Sequence, residues 1–189
     1  LLGRRAIEQS QGQSLAELLQ RLPGISLTNS GGPGKATSLF MRGTPSNHVL
    51  VLIDGVKAGS VSSGGLAWQD LPLELIERVE VVRGPRSGLY GSEAIGGVIQ
   101  IFTRQADSQQ ARPFFSLGYG SQVTRTASGG VSGAAGPAWY SLAASSQASH
   151  GLEAKQPRAS GYEADHDGYR NLASSLRGGV QLNDDLQLS

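Results

Sequence analysis

The chain has 189 residues, of which 16 are lysine or arginine, 15 are aspartate or glutamate and none is cysteine. The net charge of +1 argues against nucleic-acid binding driven by phosphate neutralisation, so no nucleic-acid partner is expected. The lack of cysteine excludes disulfide bonds and thiolate metal ligands within this sequence. No apolar run approaches the ~18 residues that a membrane-spanning helix needs. Glycine accounts for 27 residues, about twice its average share of about 7%, which indicates many tight turns.

Residues 1–105 are typical of a small mixed α/β domain, and a helix is predicted near its start. Ser14 and Glu17 form a capping box, in which the serine side chain binds the amide of the glutamate. The leucines that follow recur on one helical face; they are Leu15, Leu18, Leu19 and Leu22. Pro23-Gly24 ends this predicted helix.

Short strands are predicted in the same half at residues 25–27, 39–42, 49–53, 78–83 and 98–103. The run at 49–53 is apolar throughout and stops at Asp54-Gly55, which predicts a strand buried on both faces and followed by a turn. Pro72 favours the first turn of a short helix through residue 76. Two loops rich in glycine and serine, at 29–35 and 58–65, separate these elements.

From about residue 111 the pattern changes to an alternation of apolar with small or polar residues. Four segments of about ten residues show it, and a fifth begins near residue 186. The first has Phe115, Leu117 and Tyr119 on one face, while Arg125 interrupts the second. Short turns and one long polar segment separate the strands. This pattern is typical of outer-membrane strands, although a soluble antiparallel sheet has the same alternation.

Five stretches carry a resemblance to a known family: residues 22–25, 41–43, 49–56, 76–85 and 90–99. In order and spacing they resemble the plug domain of TonB-dependent outer-membrane receptors, across residues 5–105. Within that family the chain is most similar to the vitamin B12 receptors, through Asn47-His48 and residues 83–87. The resemblance implies an α+β plug domain at 1–105, followed at 111–189 by the first antiparallel strands of a transmembrane β-barrel.

The family's plug fills a barrel of about 22 strands, so the resemblance implies that most barrel strands lie beyond this chain. It also implies that the TonB-contacting segment and the first plug strand precede Leu1. The function implied is TonB-dependent active transport of cobalamin or a related corrinoid across the outer membrane of a Gram-negative bacterium. TonB and membrane lipid are the further partners implied. A ferric siderophore receptor and a passive binding or docking protein of the outer membrane are the alternatives.

By the same resemblance, the two glycine and serine loops are the apices of the plug that contact substrate. They offer backbone amides, hydroxyls and little bulk, which suits a rigid ligand with amide edges. Ordinary turns have the same composition, so that alternative stays open. The expected substrate-binding residues are Lys35, Ala36, Thr37, Ser60, Ser62, Ser63 and Gly64.

A second expected site is an acidic loop. The vitamin B12 receptors order an extracellular loop with Ca²⁺ through an Asp-x-Asp-Gly-aromatic stretch, which here is residues 165–169. The resemblance therefore implies a Ca²⁺ site with Glu153, Asp165 and Asp167 as ligands, and this ion prefers oxygen ligands of that kind. An acidic loop exposed to solvent is the alternative. No organic cofactor is expected.

Arg42 and Arg83 stand beside glycines at the ends of predicted strands. The family uses such positions to pair the plug with carboxylates on the barrel wall, which implies plug-barrel contacts for both arginines. Local pairing, for instance with Glu80, is the alternative. The sequence has no phosphate-binding loop and no nucleophile elbow, and its three histidines are scattered, so the chain is not expected to be an enzyme.

Overall fold

The computed structural model describes residues 1–10, 14–31, 34–60, 65–105, 110–151, 168–183 and 186–188. The chain divides into two units, Leu1–Thr103 and Arg104–Ser189, and each is described by itself. Within the described ranges, no helix is both long enough and apolar enough to cross a membrane.

The first unit combines a five-stranded sheet with a separate two-stranded hairpin. Its strands are β1 (Leu2–Gly3), β2 (Ile25–Asn29), β3 (Thr37–Met41), β4 (Val49–Ile53), β5 (Val56–Lys57), β6 (Ile76–Arg83) and β7 (Gly97–Thr103). The sheet has the order β1-β6-β7-β4-β5, and β2 pairs with β3 in the hairpin. The α-helices of the described part are α1 (Arg4–Gln9), α2 (Leu15–Gln20) and α3 (Ser87–Tyr90).

Strand β4 lies inside this sheet and is buried on both of its faces. It pairs in parallel with β7 and antiparallel with β5. Val49 and Val51 pack in the main hydrophobic core, whereas Leu50 and Leu52 belong to a second cluster. Because side chains alternate along a strand, a core on each face requires an unbroken apolar run. The strand predicted at 49–53 is confirmed.

Helix α2 begins at the predicted capping box. The amide of Glu17 donates a hydrogen bond to Ser14 Oγ at 3.3 Å. The face directed into the core is the predicted one; its buried residues are Leu15, Ala16, Leu18 and Leu19. The helix ends at Gln20, before the last leucine of the pattern, because a residue that precedes proline disfavours helical backbone.

Several elements of this unit differ from the predictions. The predicted helix after Pro72 is one 3-10 turn, Leu73–Leu75, because β6 already begins at the next residue. Strand β3 ends before Arg42, since this residue has a left-handed backbone with φ of +55°. The sequence pattern does not predict α1, whose buried residue is Ile7, or the two-residue strands β1 and β5. Two-residue strands are too short to show an alternation, and one buried residue in α1 gives no recurring apolar face.

The second unit is an antiparallel sheet of five strands in the described part. The strands are β8 (Arg112–Gly120), β9 (Thr124–Ala135), β10 (Ala138–Ser149), β11 (Tyr169–Asn183) and β12 (Leu186–Leu188). Each strand pairs with its neighbour in sequence, in the order β12-β11-β10-β9-β8. These strands lie at the alternating segments of the sequence, including the one that Arg125 was expected to interrupt.

The two faces of this sheet differ in chemistry. Residues paired across antiparallel strands share a face, so the register places Leu117, Ala127, Ser146 and Leu172 in one row. We call the face that contains this row the apolar face. Its large exposed hydrophobic side chains are Phe115, Leu117, Tyr119, Leu142, Leu172, Leu176 and Val180. The predicted alternation is confirmed.

Candidate substrate site

The two loops that the sequence singles out meet at one cavity of the first unit. The cavity has a volume of about 300 Å³. One side is formed by Ala36, Thr37 and Ser38 at the start of β3, and the other by Ser60 and Gly65. These segments are far apart in sequence. The structure therefore brings together Ala36, Thr37 and Ser60, three of the residues expected to bind substrate.

The hairpin side of the cavity is held by side-chain hydrogen bonds at its tip. Asn29 Nδ2 donates to Thr37 Oγ1 at 2.9 Å, and this hydroxyl donates to the carbonyl oxygen of Lys35 at 3.0 Å. Asn29 Oδ1 also accepts from the amide of Gly31 at 2.9 Å. The Thr37 hydroxyl is thus fixed in position, with its proton directed to the hairpin itself. Sequence reasoning missed Asn29, although asparagine before a glycine-rich loop is a known turn signal.

The second loop is closed by its own backbone. The amide of Ser60 donates to the carbonyl oxygen of Gly65 at 2.9 Å, and the amide of Ala58 donates to that of Val51 at 2.9 Å. These bonds anchor the loop on β4 and place the Ser60 side of it at the cavity. Ser62, Ser63 and Gly64, the other residues expected to contact substrate here, lie outside the described residues.

The cavity has an apolar wall and an uncharged polar rim. Val49, Val51 and Trp68 contribute the wall, and the indole of Trp68 is almost completely buried. Hydroxyls of Thr37 and Ser60 lie at the rim. The described lining contains no charged side chain, and Lys35 is not part of it. Such a surface suits a neutral ligand that offers hydrogen-bonding groups along an otherwise flat, apolar body.

The expected metal ligands cannot be placed in this geometry. Glu153, Asp165 and Asp167 all lie outside the described residues. In the ranges that are described, no group of three or more histidine, aspartate or glutamate side chains is arranged to hold a metal ion. The Ca²⁺ site in the acidic loop stays a prediction.

Arg42 and Arg83 lie in the first unit without an acidic partner among its described residues. The backbone amide of Arg42 donates to the carbonyl oxygen of Gly24 at 2.7 Å, and its guanidinium lies beside Gly84. Arg83 is exposed at the end of β6. The alternative of a local pair with Glu80 is not seen, since this glutamate pairs with Arg78 at 2.9 Å. The arrangement leaves both guanidiniums able to pair with a partner outside the unit.

Comparison with known proteins agrees with this fold. Residues 1–98 match the family model described as the TonB-dependent Receptor Plug Domain, which is more than half of the chain. The chain belongs to this family. As the resemblance in the sequence implied, its relatives include transporters of vitamin B12.

Several relatives of this chain carry the name vitamin B12 transporter BtuB, and two of them illustrate the similarity. That of Vibrio cholerae serotype O1 is 49% identical over 121 residues, which cover 64% of this chain and 20% of the relative. That of Photobacterium profundum is 38% identical over 185 residues, which cover 97% of this chain and 30% of the relative. The crystal structure of the ferric yersiniabactin uptake receptor FyuA from Yersinia pestis is similar with a TM-score of 0.72 and 27% identity, covering 95% of this chain and 28% of that one. The chain therefore spans 20 to 30% of the length of these proteins.

Proposed function

We propose that this chain is part of a TonB-dependent transporter in the outer membrane of a Gram-negative bacterium. The first unit acts as the plug that closes a barrel, and the second unit contributes the first strands of that barrel. The family membership of residues 1–98 supports the plug. The exposed apolar face of the second unit supports the barrel, because outer-membrane strands direct one apolar face to lipid. No enzymatic activity is proposed.

The proposed substrate is cobalamin or a related corrinoid, bound at the cavity of the first unit. The observation that carries this proposal is the meeting of the two predicted loops around an uncharged cavity. Corrinoids carry amide groups along a rigid, flat ring system, so they need hydroxyl and amide partners more than they need charge. The two relatives named for vitamin B12 support the same substrate.

The residues of the site have distinct proposed roles. Thr37 and Ser60 supply hydroxyl oxygens at the rim, and Ala36 supplies backbone groups. Trp68 supports the apolar wall from below. Ser62, Ser63 and Gly64 are the further substrate contacts proposed for the second loop, and Lys35 is the one proposed beside the cavity. TonB would supply the energy that moves the plug and admits the substrate.

A ferric siderophore is the second candidate substrate. The similarity to the ferric yersiniabactin uptake receptor favours it. Ferric siderophores are often anionic, so a pocket for them is expected to be basic or aromatic-rich. The uncharged described lining of the cavity favours the corrinoid. A passive docking protein, which would bind a ligand without transporting it, is the third candidate.

Two further contacts complete the proposal. Glu153, Asp165 and Asp167 bind Ca²⁺ in the proposed transporter and order the extracellular loop that carries them, which oxygen-rich ligands of this kind allow. Arg42 and Arg83 pair with carboxylates of the barrel wall and retain the plug. Buried pairs between arginine and carboxylate are strong and directional, so they can hold a plug that must also be released.

Binding of cyanocobalamin to the full-length receptor in detergent tests the proposal. We expect saturable binding that is weakened in a Thr37→Ala/Ser60→Ala variant and unaffected by an excess of ferric yersiniabactin. Binding of the ferric complex but not of cyanocobalamin would replace the corrinoid with the siderophore. Uptake of labelled cobalamin by cells with and without TonB then separates transport from passive docking, since only transport requires TonB.

A further inference from the structure

Two arginines lie in one row at an end of the apolar face of the second unit. Arg125 on β9 is opposite Ala148 on β10, and Ala148 is opposite Arg170 on β11. Both arginines are exposed, and among the described residues neither guanidinium has a hydrogen-bond or ion-pair partner. Tyr119 on β8 is opposite Arg125 and extends the row. Two cations and a tyrosine thus lie at the end of a surface that is otherwise uncharged and mostly apolar.

The row lies at the end of the sheet where the long connection is found. Strands β10 and β11 are joined through residues 150–168, next to Arg170, whereas β9 and β10 are joined by a short turn at the other end. In outer-membrane barrels the long loops are extracellular and the short turns periplasmic. In the proposed barrel, the two arginines therefore lie at the level of the outer leaflet.

The height of the apolar face agrees with this placement. Tyr140 lies one row before its opposite end, which is the row of Ala138 and Val180. From Tyr140 to Ala148 the strand rises about 26 Å at ~3.3 Å per residue. A strand tilted by about 40° would then cover about 20 Å of membrane between these two rows, close to the ~25 Å band of such barrels. Aromatic girdles border that band on both sides, and Tyr119 and Tyr140 lie near its two ends here. The arginines thus stand at a membrane boundary and not within the hydrocarbon.

A groove adjoins the row. It has a volume of about 470 Å³, and its lining includes Leu117, Tyr119, Arg125, Ala127 and Ala148. Alanine at two of these positions keeps the groove open between the larger side chains. The groove joins an apolar floor to a guanidinium, which is the combination that an acyl chain attached to an anionic headgroup would fit.

We propose that this row is a binding site for a phosphorylated lipid headgroup of the outer leaflet. The guanidiniums of Arg125 and Arg170 bind its phosphate oxygens, and an acyl chain lies along the groove. Their strands are two apart in the sheet, so the backbones are separated by about 10 Å. Long arginine side chains reach a shared headgroup across that distance, and the planar guanidinium matches phosphate geometry with paired donors. The inference rests on the proposed function in one respect, which is that the apolar face meets a membrane.

Native mass spectrometry of the full-length receptor, titrated with bisphosphorylated lipid A, tests this site. The test variant is Arg125→Gln/Arg170→Gln. The matched control is Arg5→Gln/Arg86→Gln, which removes the same charge from exposed positions of the first unit. We expect the dissociation constant for lipid A to rise about tenfold or more in the test variant, because two charge-assisted contacts are lost, and to stay unchanged in the control. Arg125→Lys/Arg170→Lys should retain part of the affinity.

Two additional arms identify the ligand. Dephosphorylated lipid A should bind the wild type as weakly as lipid A binds the test variant, whereas millimolar inorganic phosphate should not compete. Competition by inorganic phosphate would replace the lipid with a free anion. Equal lipid A affinity of the wild type and the test variant would overturn the site. Cyanocobalamin binding is measured on the same samples. If the wild type binds lipid A through these arginines but does not bind cyanocobalamin, the result counts against the proposed substrate and leaves the lipid site intact.

Discussion

The carboxylate of Asp54 accepts hydrogen bonds from both the backbone amide and the side-chain hydroxyl of Thr103. Oδ1 accepts from the Thr103 amide at 2.9 Å, and Oδ2 accepts from the Thr103 hydroxyl. The amide of Asp54 donates in turn to the carbonyl oxygen of Ile101 at 2.9 Å. The turn after β4 is thus fastened to the end of β7, the last strand of the first unit. Asp54 has a φ of +50°, a left-handed backbone that aspartate and asparagine tolerate best after glycine.

This relationship predicts a graded effect of substitution at Asp54. Asp54→Ala should weaken the local structure by about 2–3 kcal/mol, because it removes hydrogen bonds to a charged group and places alanine at positive φ. Asp54→Asn should cost less, since its amide oxygen still accepts from the Thr103 backbone. Hydrogen–deuterium exchange of the full-length receptor measures both, as faster exchange in 49–57 and 97–103. Exchange in Asp54→Ala equal to that of the wild type would show that the carboxylate does not hold the turn to β7.

Gly97, at the start of β7, should not tolerate any side chain. A Cβ atom there would overlap with Met41 Sδ and lie 2.5 Å from the carbonyl oxygen of Val82. The methionine can move, but the carbonyl belongs to the paired strand β6. Gly97→Ala should therefore disrupt β6–β7 pairing and cost about 3 kcal/mol or more, as overpacking against backbone does.

The level of folded receptor in isolated outer membranes measures this effect. Gly88→Ala is the matched control, because a Cβ atom at that position meets nothing within 4 Å. We expect normal levels for the control and a strong reduction for Gly97→Ala. Normal levels of both would mean that β6 and β7 can separate without loss of the fold.

The sequence predicts the parts of this fold whose signal is local. The strand at 49–53 is identified because burial on both faces leaves no polar position in it, and α2 because a capping box precedes its leucines. Helix α1 escapes prediction because Ile7 is its one buried residue. The cavity could be predicted only through its loops: that Thr37 and Ser60 face each other depends on how the hairpin packs beside β4, which neither loop encodes. The position of Arg125 on the apolar face likewise follows from the register and not from its neighbours.

Substitutions at the hairpin tip can distinguish a residue that contacts the substrate from one that only positions the contacting residue. Asn29→Ala removes the donor to Thr37 Oγ1 but no group that lines the cavity. We expect it to weaken cyanocobalamin binding by about three- to tenfold, close to the loss of one neutral hydrogen bond. Thr37→Ala should have a similar effect, and the double variant should add little to it, since the two residues share one bond.

The controls for this test lie on the same hairpin. Thr37→Ser keeps the hydroxyl and should keep most of the affinity. Ser26→Ala changes an exposed residue at the other end of β2 and should have no effect. If Asn29→Ala left the affinity unchanged while Thr37→Ala lowered it, Thr37 would contact the substrate without being positioned by Asn29. If neither variant had an effect, the hairpin would not belong to the binding site.

The acidic loop predicts a dependence of substrate binding on Ca²⁺. Asp165→Asn/Asp167→Asn exchanges two carboxylates for amides of the same shape, so Ca²⁺ affinity should fall by about tenfold or more as ligand charge is lost. Calorimetry with Ca²⁺ on the full-length receptor measures this directly. Cyanocobalamin affinity should fall on chelation in the wild type and respond less in the variant. An unchanged Ca²⁺ isotherm in the variant would place the ion elsewhere or exclude it from this loop.

Retention of the plug is the prediction that concerns Arg42 and Arg83. The side chain of Arg42 lies against Gly24 and Gly84, and a Cβ atom on Gly84 would be 3.3 Å from Arg42 Nη1. The guanidinium is therefore confined in direction while it has no acidic partner among the described residues of its unit. In the proposed barrel, Arg42→Gln/Arg83→Gln removes the ion pairs between the plug and the wall. Each charge-assisted contact contributes about 1.5–3 kcal/mol, so its loss should raise the fraction of receptors with a displaced plug about tenfold or more. Ion conductance of the receptor in planar bilayers measures that population, with Arg5→Gln as the control. A conductance equal to that of the control would mean that other contacts hold the plug.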